Sequence, residues 1–138
     1  MHYQIAAMLK YANKSKPCSI VNNSSILSHA SYAGLTVYSA TKHAVTGLTK
    51  GAAVELAQSN IRVNAVGPGP INTPMLSDPT DGHPEVFGGM VPMNRIGTPK
   101  EVSNAVMWLF SEESAYVTGH TLMIDGGFCS GPIVSGAE

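Results

Sequence analysis

Apolar positions along the chain alternate between helical and extended rhythms. Ile5, Met8, Leu9 and Ala12 recur at the spacing of one helix face, which predicts a helix over residues 1–13, stopped by Lys14-Ser15-Lys16-Pro17. Ser19-Ile20-Val21-Asn22-Asn23 is a short β-prone run, and the serine-rich stretch from Ser24 to Leu35, closed by Gly34, reads as a loop. A long helix is predicted over residues 37–58, with Thr36 as candidate N-cap and Ala44, Val45, Leu48, Ala52 and Leu56 on its apolar side. Gly47, Gly51 and Ala53 leave room there for close backbone approach. Ile61 to Val66 is the second strand, ended by Gly67-Pro68-Gly69-Pro70, which cannot continue a ladder. The Pro/Gly-rich stretch from Gly67 to Pro92 is one long connection. Thr98-Pro99-Lys100-Glu101 is a capping box with proline at the first helical position, opening a helix with Val102, Ala105, Val106 and Leu109 on one side. After a turn over 114–119, His120 to Ile124 is a third strand, ended by Asp125-Gly126-Gly127.

Helix and strand in strict alternation predict an α/β fold with parallel strands and right-handed crossovers. The strands are expected near 19–25, 61–67 and 120–125, the last two adjacent, with the long helix packed on one sheet face. With 138 residues the chain is one domain, 1–138, long enough to bury roughly 68% of the surface its unfolded form exposes. Eight Lys and Arg stand singly against nine Asp and Glu, for a net charge of −1. That balance favours neither a nucleic-acid backbone nor an anionic membrane and suits a small neutral partner. No apolar run approaches the ~20 residues of a membrane span, and the amino end lacks a signal-peptide pattern. Cys18 and Cys129 form no disulfide framework, so the expectation is a soluble cytoplasmic protein.

Candidate chemistry gathers where the first strand ends and the long helix begins. Tyr38 and Lys42 are four residues apart and share a helix face, which lets an ammonium act on a phenol. Ser25 lies thirteen residues before Tyr38 and reaches it only if the strand's carboxyl end and the helix's first turn converge, where open α/β sheets place their ligands. Ser28 competes with Ser25 for that place, and strand alternation turns Ser24 away from it. His2, His29, His43, His83 and His120 show no paired ligand spacing, so no metal is expected.

Ser25, then Tyr38-Ser39-Ala40-Thr41-Lys42 as a Y-x-x-x-K motif, Asn64-Ala65-Val66-Gly67-Pro68-Gly69 and Pro70-Ile71-Asn72-Thr73 stand in that order. Arg95-Ile96-Gly97-Thr98-Pro99 and Gly119-His120-Thr121-Leu122 leading into Asp125-Gly126-Gly127 complete the series. Together they resemble the short-chain dehydrogenase/reductases, NAD(P)-dependent enzymes on a doubly wound Rossmann-type sheet. The resemblance spans Ser19 to about Gly127. It implies hydride transfer between nicotinamide and a secondary alcohol or ketone, with NAD or NADP as cofactor and the choice not readable from this chain. Oxidation needs a group to take the hydroxyl proton, and a tyrosine near pKa 10 is a poor base unless a fixed positive charge such as Lys42 favours its anion. In reduction the same Tyr38 is the acid, and Ser25 donates to the substrate oxygen as charge develops there.

By the same resemblance Lys42 also holds the nicotinamide ribose, and Pro68, Gly69, the Ile71 backbone and the Thr73 hydroxyl place the carboxamide. Met75, Leu76, Phe87, Met90 and Met93 lie in the stretch that matches the family's substrate loop. The family's opening strand and glycine-rich turn, and its Asn-Ala-Gly block with the catalytic asparagine, have no counterpart in these residues. The expectation is therefore the carboxyl-terminal half of such a fold. The alternative to an enzyme is an inactive truncated fragment that keeps the helices at 1–13 and 37–58, through which family members form homo-oligomers.

Overall fold

Three strands lie side by side in the computed structural model, which describes residues 1–12 and 16–131. Strands β1 (Cys18–Asn23), β2 (Ile61–Pro68) and β3 (Thr121–Ile124) pair in that order, both pairs parallel, with Ile20 opposite Val63 and Ala65 opposite Thr121. This is the expected α/β architecture, with β2 adjacent to β3. Helix α1 (His2–Met8) precedes β1, and the crossovers carry α2 (Thr36–Leu56), a short α3 (Pro74–Ser77) and α4 (Pro99–Phe110). The first helix, expected to run to about Asn13, ends at Met8 and gives way to turns over Leu9 to Tyr11; Asn13 and the expected stop at Lys14 and Ser15 fall outside the described residues.

Side-chain alternation divides the sheet into two faces. Ile20, Ile61 and Val63 face α2 and pack with its Ala52, Ala53 and Leu56, and Met1, Ile5, Met8 and Ala12 close over this cluster. Ser19, one residue out of phase with Ile20, donates to the Leu109 carbonyl of α4 at 3.0 Å, so α4 covers the opposite face. Central β2 is buried on both sides, as parallel strands between helix layers are.

Polar side chains fasten the way into β3. Arg62 donates to the Ser111 and Val117 carbonyls and to Ser114 Oγ. Partial burial pulls its pKa below the usual arginine value. Fully buried Asn64 donates to the Val117 carbonyl at 2.8 Å and accepts from the His120 N–H at 3.1 Å. The long connection after β2 is closed at its base by a bridge between Ile71 and Gly97, with Gly97 N–H on the Pro70 carbonyl and Asn72 N–H on the Gly97 carbonyl, both at 2.9 Å. Gly126, at φ +61°, must lack a side chain, since a Cβ there would lie 2.6 Å from Val91.

Further local expectations are corrected. β2 does not stop at Val66: Gly67 and Pro68 continue it, opposite Met123 and Ile124 of β3. Thr36 is the first helical residue of α2; Leu35 occupies the N-cap with no side-chain hydrogen bond, so the helix entry is uncapped. Within the expected loop Ser24 to Leu35, Ile26–Ser28 form a buried 3-10 turn that packs against α2. On α2 itself Ala44 and Leu48, expected on the apolar side, are exposed (Leu48 54%), and the buried stripe is Ser39, Thr46, Thr49, Ala52, Ala53 and Leu56. The stripe turns polar in its amino half because strand residues supply partners for its hydroxyls.

Candidate active site

The carboxyl end of β1 and the first turns of α2 meet, and each named side chain has a defined place there. Lys42 extends its ammonium to the Asn23 carbonyl at 3.1 Å, and the same nitrogen lies 5.4 Å from the centre of the Tyr38 ring. An ammonium has three donors, so two remain for other partners. The Tyr38 side chain is 39% exposed, and its hydroxyl has no partner among the described residues.

The two competing serines differ in where their protons go. Ser28 Oγ donates to the Ser25 carbonyl at 2.7 Å and also lies 3.0 Å from His29 Nδ1, so its proton is engaged. Ser25 caps the 3-10 turn by accepting from the Leu27 N–H at 3.1 Å, which leaves its own proton to give. Ser24 points the other way from Ser25, onto α2, with Oγ 3.3 Å from the Lys42 carbonyl and 3.4 Å from Thr46 Oγ1. Strand alternation predicts the turning away; the contacts to α2 come from the fold. Asn23, Ser24 and Thr46 are thus site-building residues that motif reasoning passed over. The available signal was alternation, which puts Asn22 and Ser24 on the face where α2 carries hydroxyls at 46 and 49.

Downstream of β2, Gly69 donates its N–H to the Ile124 carbonyl at 3.0 Å, and a Cβ at this position would lie 2.9 Å from Asp125 Cα. Its lack of a side chain therefore has a packing cause independent of any ligand. In the Ile71–Gly97 bridge the bonds run through Pro70 and Asn72, so Ile71 turns its own N–H and carbonyl away. The carbonyl accepts from Thr73 Oγ1 at 3.3 Å, while the N–H has no described partner. Pro68 closes β2, opposite Ile124. Of the loop residues read as apolar lining, Met75, Met90 and Met93 are exposed, and Phe87 and Leu76 are half-buried.

The other titratable groups are occupied elsewhere. His83 pairs with Glu85 on the surface, and His43 Nδ1 lies 2.9 Å from the Ser39 carbonyl. Burial and the neighbouring Asp125 push the Cys129 thiol up to about 11. Among the described residues, no group of three or more His, Cys, Asp or Glu is placed to hold a metal ion, and no helix is long and apolar enough to cross a membrane.

Comparison with known proteins places this arrangement. The family profile described as enoyl-(acyl carrier protein) reductase matches residues 1–129. The chain is 44% identical over 120 residues to the 3-oxoacyl-(acyl-carrier-protein) reductase FabG of Thermotoga maritima, covering 87% of this chain and 49% of that protein. It is 43% identical over 111 residues to the short-chain dehydrogenase anuF of Penicillium roqueforti, 78% of this chain and 40% of the relative. Among solved structures, ElxO with NADP bound superimposes with a TM-score of 0.84 at 39% identity, over 95% of this chain and 52% of that one. The aldohexose dehydrogenase of Thermoplasma acidophilum, in ligand-free form, gives 0.88 at 34% identity, over 99% and 56%. The chain spans about half the length of the curated relatives it matches. Fold, motif order and these likenesses agree: the chain belongs to the short-chain dehydrogenase/reductase family.

Proposed function

We propose that this chain carries the catalytic half of an NAD(P)-dependent oxidoreductase acting on a secondary alcohol or ketone. The observation that carries the reading is the Lys42 ammonium, held on the Asn23 carbonyl and facing the part-exposed Tyr38 ring, whose hydroxyl has no partner among the described residues. Tyr38 takes the hydroxyl proton as the substrate carbon loses hydride, and returns it in the reverse direction. Ser25, with its proton free, donates to the substrate oxygen. Lys42 supplies the fixed positive charge beside the phenol.

The donor set fits a nicotinamide nucleotide. Two unused N–H groups of Lys42 suit ribose hydroxyls, and the outward Ile71 N–H with the Thr73 hydroxyl suits a carboxamide; Pro68 and Gly69 shape the approach. When bound, the nicotinamide supplies or accepts the hydride. The NADP in the ElxO structure supports a dinucleotide here without deciding between NAD and NADP. Two free thiols, Cys18 and Cys129, suit a reducing compartment, and we read the enzyme as cytoplasmic.

Turnover is tested in a fusion that supplies the amino-terminal half of the Thermotoga relative, with secondary alcohols and ketones as substrates. Tyr38→Phe abolishes turnover and leaves cofactor affinity nearly unchanged, while Lys42→Ala damages both. A Tyr38→Phe enzyme retaining more than about a tenth of the rate, a loss under ~1.4 kcal/mol, overturns the acid/base assignment.

A second reading, an inactive fragment that assembles through α1 and α2, is favoured by the outer face of α2. Val37, Leu48 and Val54 are exposed there, and nothing within the described chain approaches Gly47 or Gly51. Self-association through this face is compatible with either reading.

A further inference from the structure

The buried stripe of α2 changes character halfway along. Its carboxyl half, Ala52, Ala53 and Leu56, packs on Ile20, Ile61 and Val63. Its amino half is Ser39, Thr46 and Thr49, and two of these hydroxyls are met by side chains from β1 and its exit. In one rung Asn22 Nδ2 donates to Thr49 Oγ1 at 2.9 Å, and Thr49 Oγ1 donates to the Val45 carbonyl at 2.8 Å. In the other, Ser24 Oγ donates to the Lys42 carbonyl at 3.3 Å; its proton thus used, Thr46 is the donor in the 3.4 Å contact between the two hydroxyls. Thr49 is 0% exposed and Ser24 3%, so these groups have no water to turn to.

Apolar packing holds a helix on a sheet but is non-directional and tolerates sliding and rotation. Hydrogen bonds specify position. The Ser24 contacts are long for hydroxyl bonds, so they contribute direction more than energy. Ser24 is itself fixed, its N–H on the Val66 carbonyl at 2.8 Å. Residue 42 is therefore held at both ends by consecutive residues of the strand exit, its ammonium by the Asn23 carbonyl and its backbone carbonyl by Ser24.

We propose that Ser24 and Thr46 are positioning residues: their hydroxyls set the register of the α2 turn on the end of β1, and so bring the Lys42 ammonium onto the Asn23 carbonyl, the contact that fixes this side chain beside the Tyr38 ring of its own helix. The inference rests on the proposed function for the duty of Lys42, but not for its placement.

Nuclear magnetic resonance of the full chain labelled with 13C at lysine Cε provides the test, without cofactor or turnover. The Lys42 signal, identified by its loss in Lys42→Arg, is displaced from those of the other lysines by the Tyr38 ring. Thr46→Val, which keeps shape and removes the hydroxyl, returns it to the value of a free lysine. Thr46→Ser, which keeps the hydroxyl, preserves the displacement. Ser24→Ala behaves as Thr46→Val does, and if it does not fold the Thr46 pair decides alone. Leu56→Ala, which weakens the same helix in its apolar half, leaves the displacement intact. An unchanged signal in Thr46→Val, or equal collapse in Leu56→Ala, overturns the inference. Turnover by Tyr38→Phe would count against the enzyme reading while leaving this test standing.

Discussion

Arg95 and Glu101 meet fork to fork at the mouth of α4, with contacts of 2.6 and 3.1 Å, and the same carboxylate accepts from the Thr98 N–H at 2.8 Å and the Thr98 hydroxyl at 3.0 Å. The guanidinium first, and then the Thr98 donors, hold Glu101 down to about 2. A carboxylate whose folded pKa is depressed adds stability above its unfolded value, and that stability is lost as pH falls through the folded one. The melting temperature of the chain should accordingly decline as pH falls from about 4.5 towards 2, and the decline should be shallower in Glu101→Gln. Parallel melting curves for Glu101→Gln and the parent across that window would show that the carboxylate is not a source of the acid sensitivity. Thr98→Ala removes the reciprocal N-cap bond to the Glu101 N–H and should cost about 1 kcal/mol at neutral pH, read by denaturant unfolding.

At the scale of elements, α2 makes two demands of its residues. Gly47 and Gly51 sit inside a 21-residue helix, where each costs about 1 kcal/mol relative to alanine, and no described atom approaches the space a Cβ would fill. Within one copy, Gly47→Ala and Gly51→Ala should each raise stability by about that amount. If α2 packs closely on a second copy, the same substitutions should weaken association. Sedimentation at several concentrations, alongside unfolding, separates the two effects; a variant that associates as tightly as the parent argues against close α2 packing.

Elements were legible where local chemistry is unambiguous. The Thr98 capping box placed the start of α4, and the β-branched run from Ile61 placed β2, though not its end, since Gly67 and Pro68 stay in the ladder beside β3. The apolar side expected for α2 holds at Ala52 and Leu56 but not at Ala44 and Leu48, because an apolar side chain does not by itself mark the buried face. Thr46 and Thr49 read as surface until β1 supplies their partners, while Leu48 reads as core. The uncapped entry at Leu35 and the buried turn Ile26–Ser28 depend likewise on contacts that no local pattern encodes. In the candidate site, motif spacing pointed to Tyr38, Lys42 and Ser25. The Asn23 carbonyl that holds Lys42 has no side-chain signature at all.

For the molecule as a whole, the open edge of β1 is the dominant fact. Cys18 and Ser24 turn their N–H groups to β2, so the parallel ladder leaves those of Ser19, Val21 and Asn23 on the outer edge. Only the Asn23 carbonyl there is covered by a described side chain, that of Lys42. With helices on both faces, such an edge is a template for another strand, and the chain should self-associate at tens of micromolar. A sharply monomeric sedimentation profile with cooperative unfolding argues against it.

Cofactor affinity belongs to the same scale. The residues proposed to reach a dinucleotide lie at its nicotinamide end, and charge-assisted bonds to the pyrophosphate are worth roughly 1.5–3 kcal/mol each. Without three of them, binding falls by a factor of about a thousand or more, so titration of this chain with NADH and NADPH should give millimolar dissociation constants or weaker. Low-micromolar binding would mean that self-association rebuilds the site and would exclude the inactive-fragment reading.

The bridge between Ile71 and Gly97 has a consequence for change over generations. The stretch from Pro74 to Met90 leaves and returns through that bridge, with a second fastening where the Met93 N–H meets the Gly126 carbonyl, and its far end turns through Asp81 and Gly82, both at positive φ. Closing a longer loop costs only about 0.6 kcal/mol per doubling of its length. The segment is an exchangeable cassette: residues can be inserted at its tip, or the whole of it swapped for another of different length, while the strands that carry Ser25 and the helix that carries Tyr38 stay where they are.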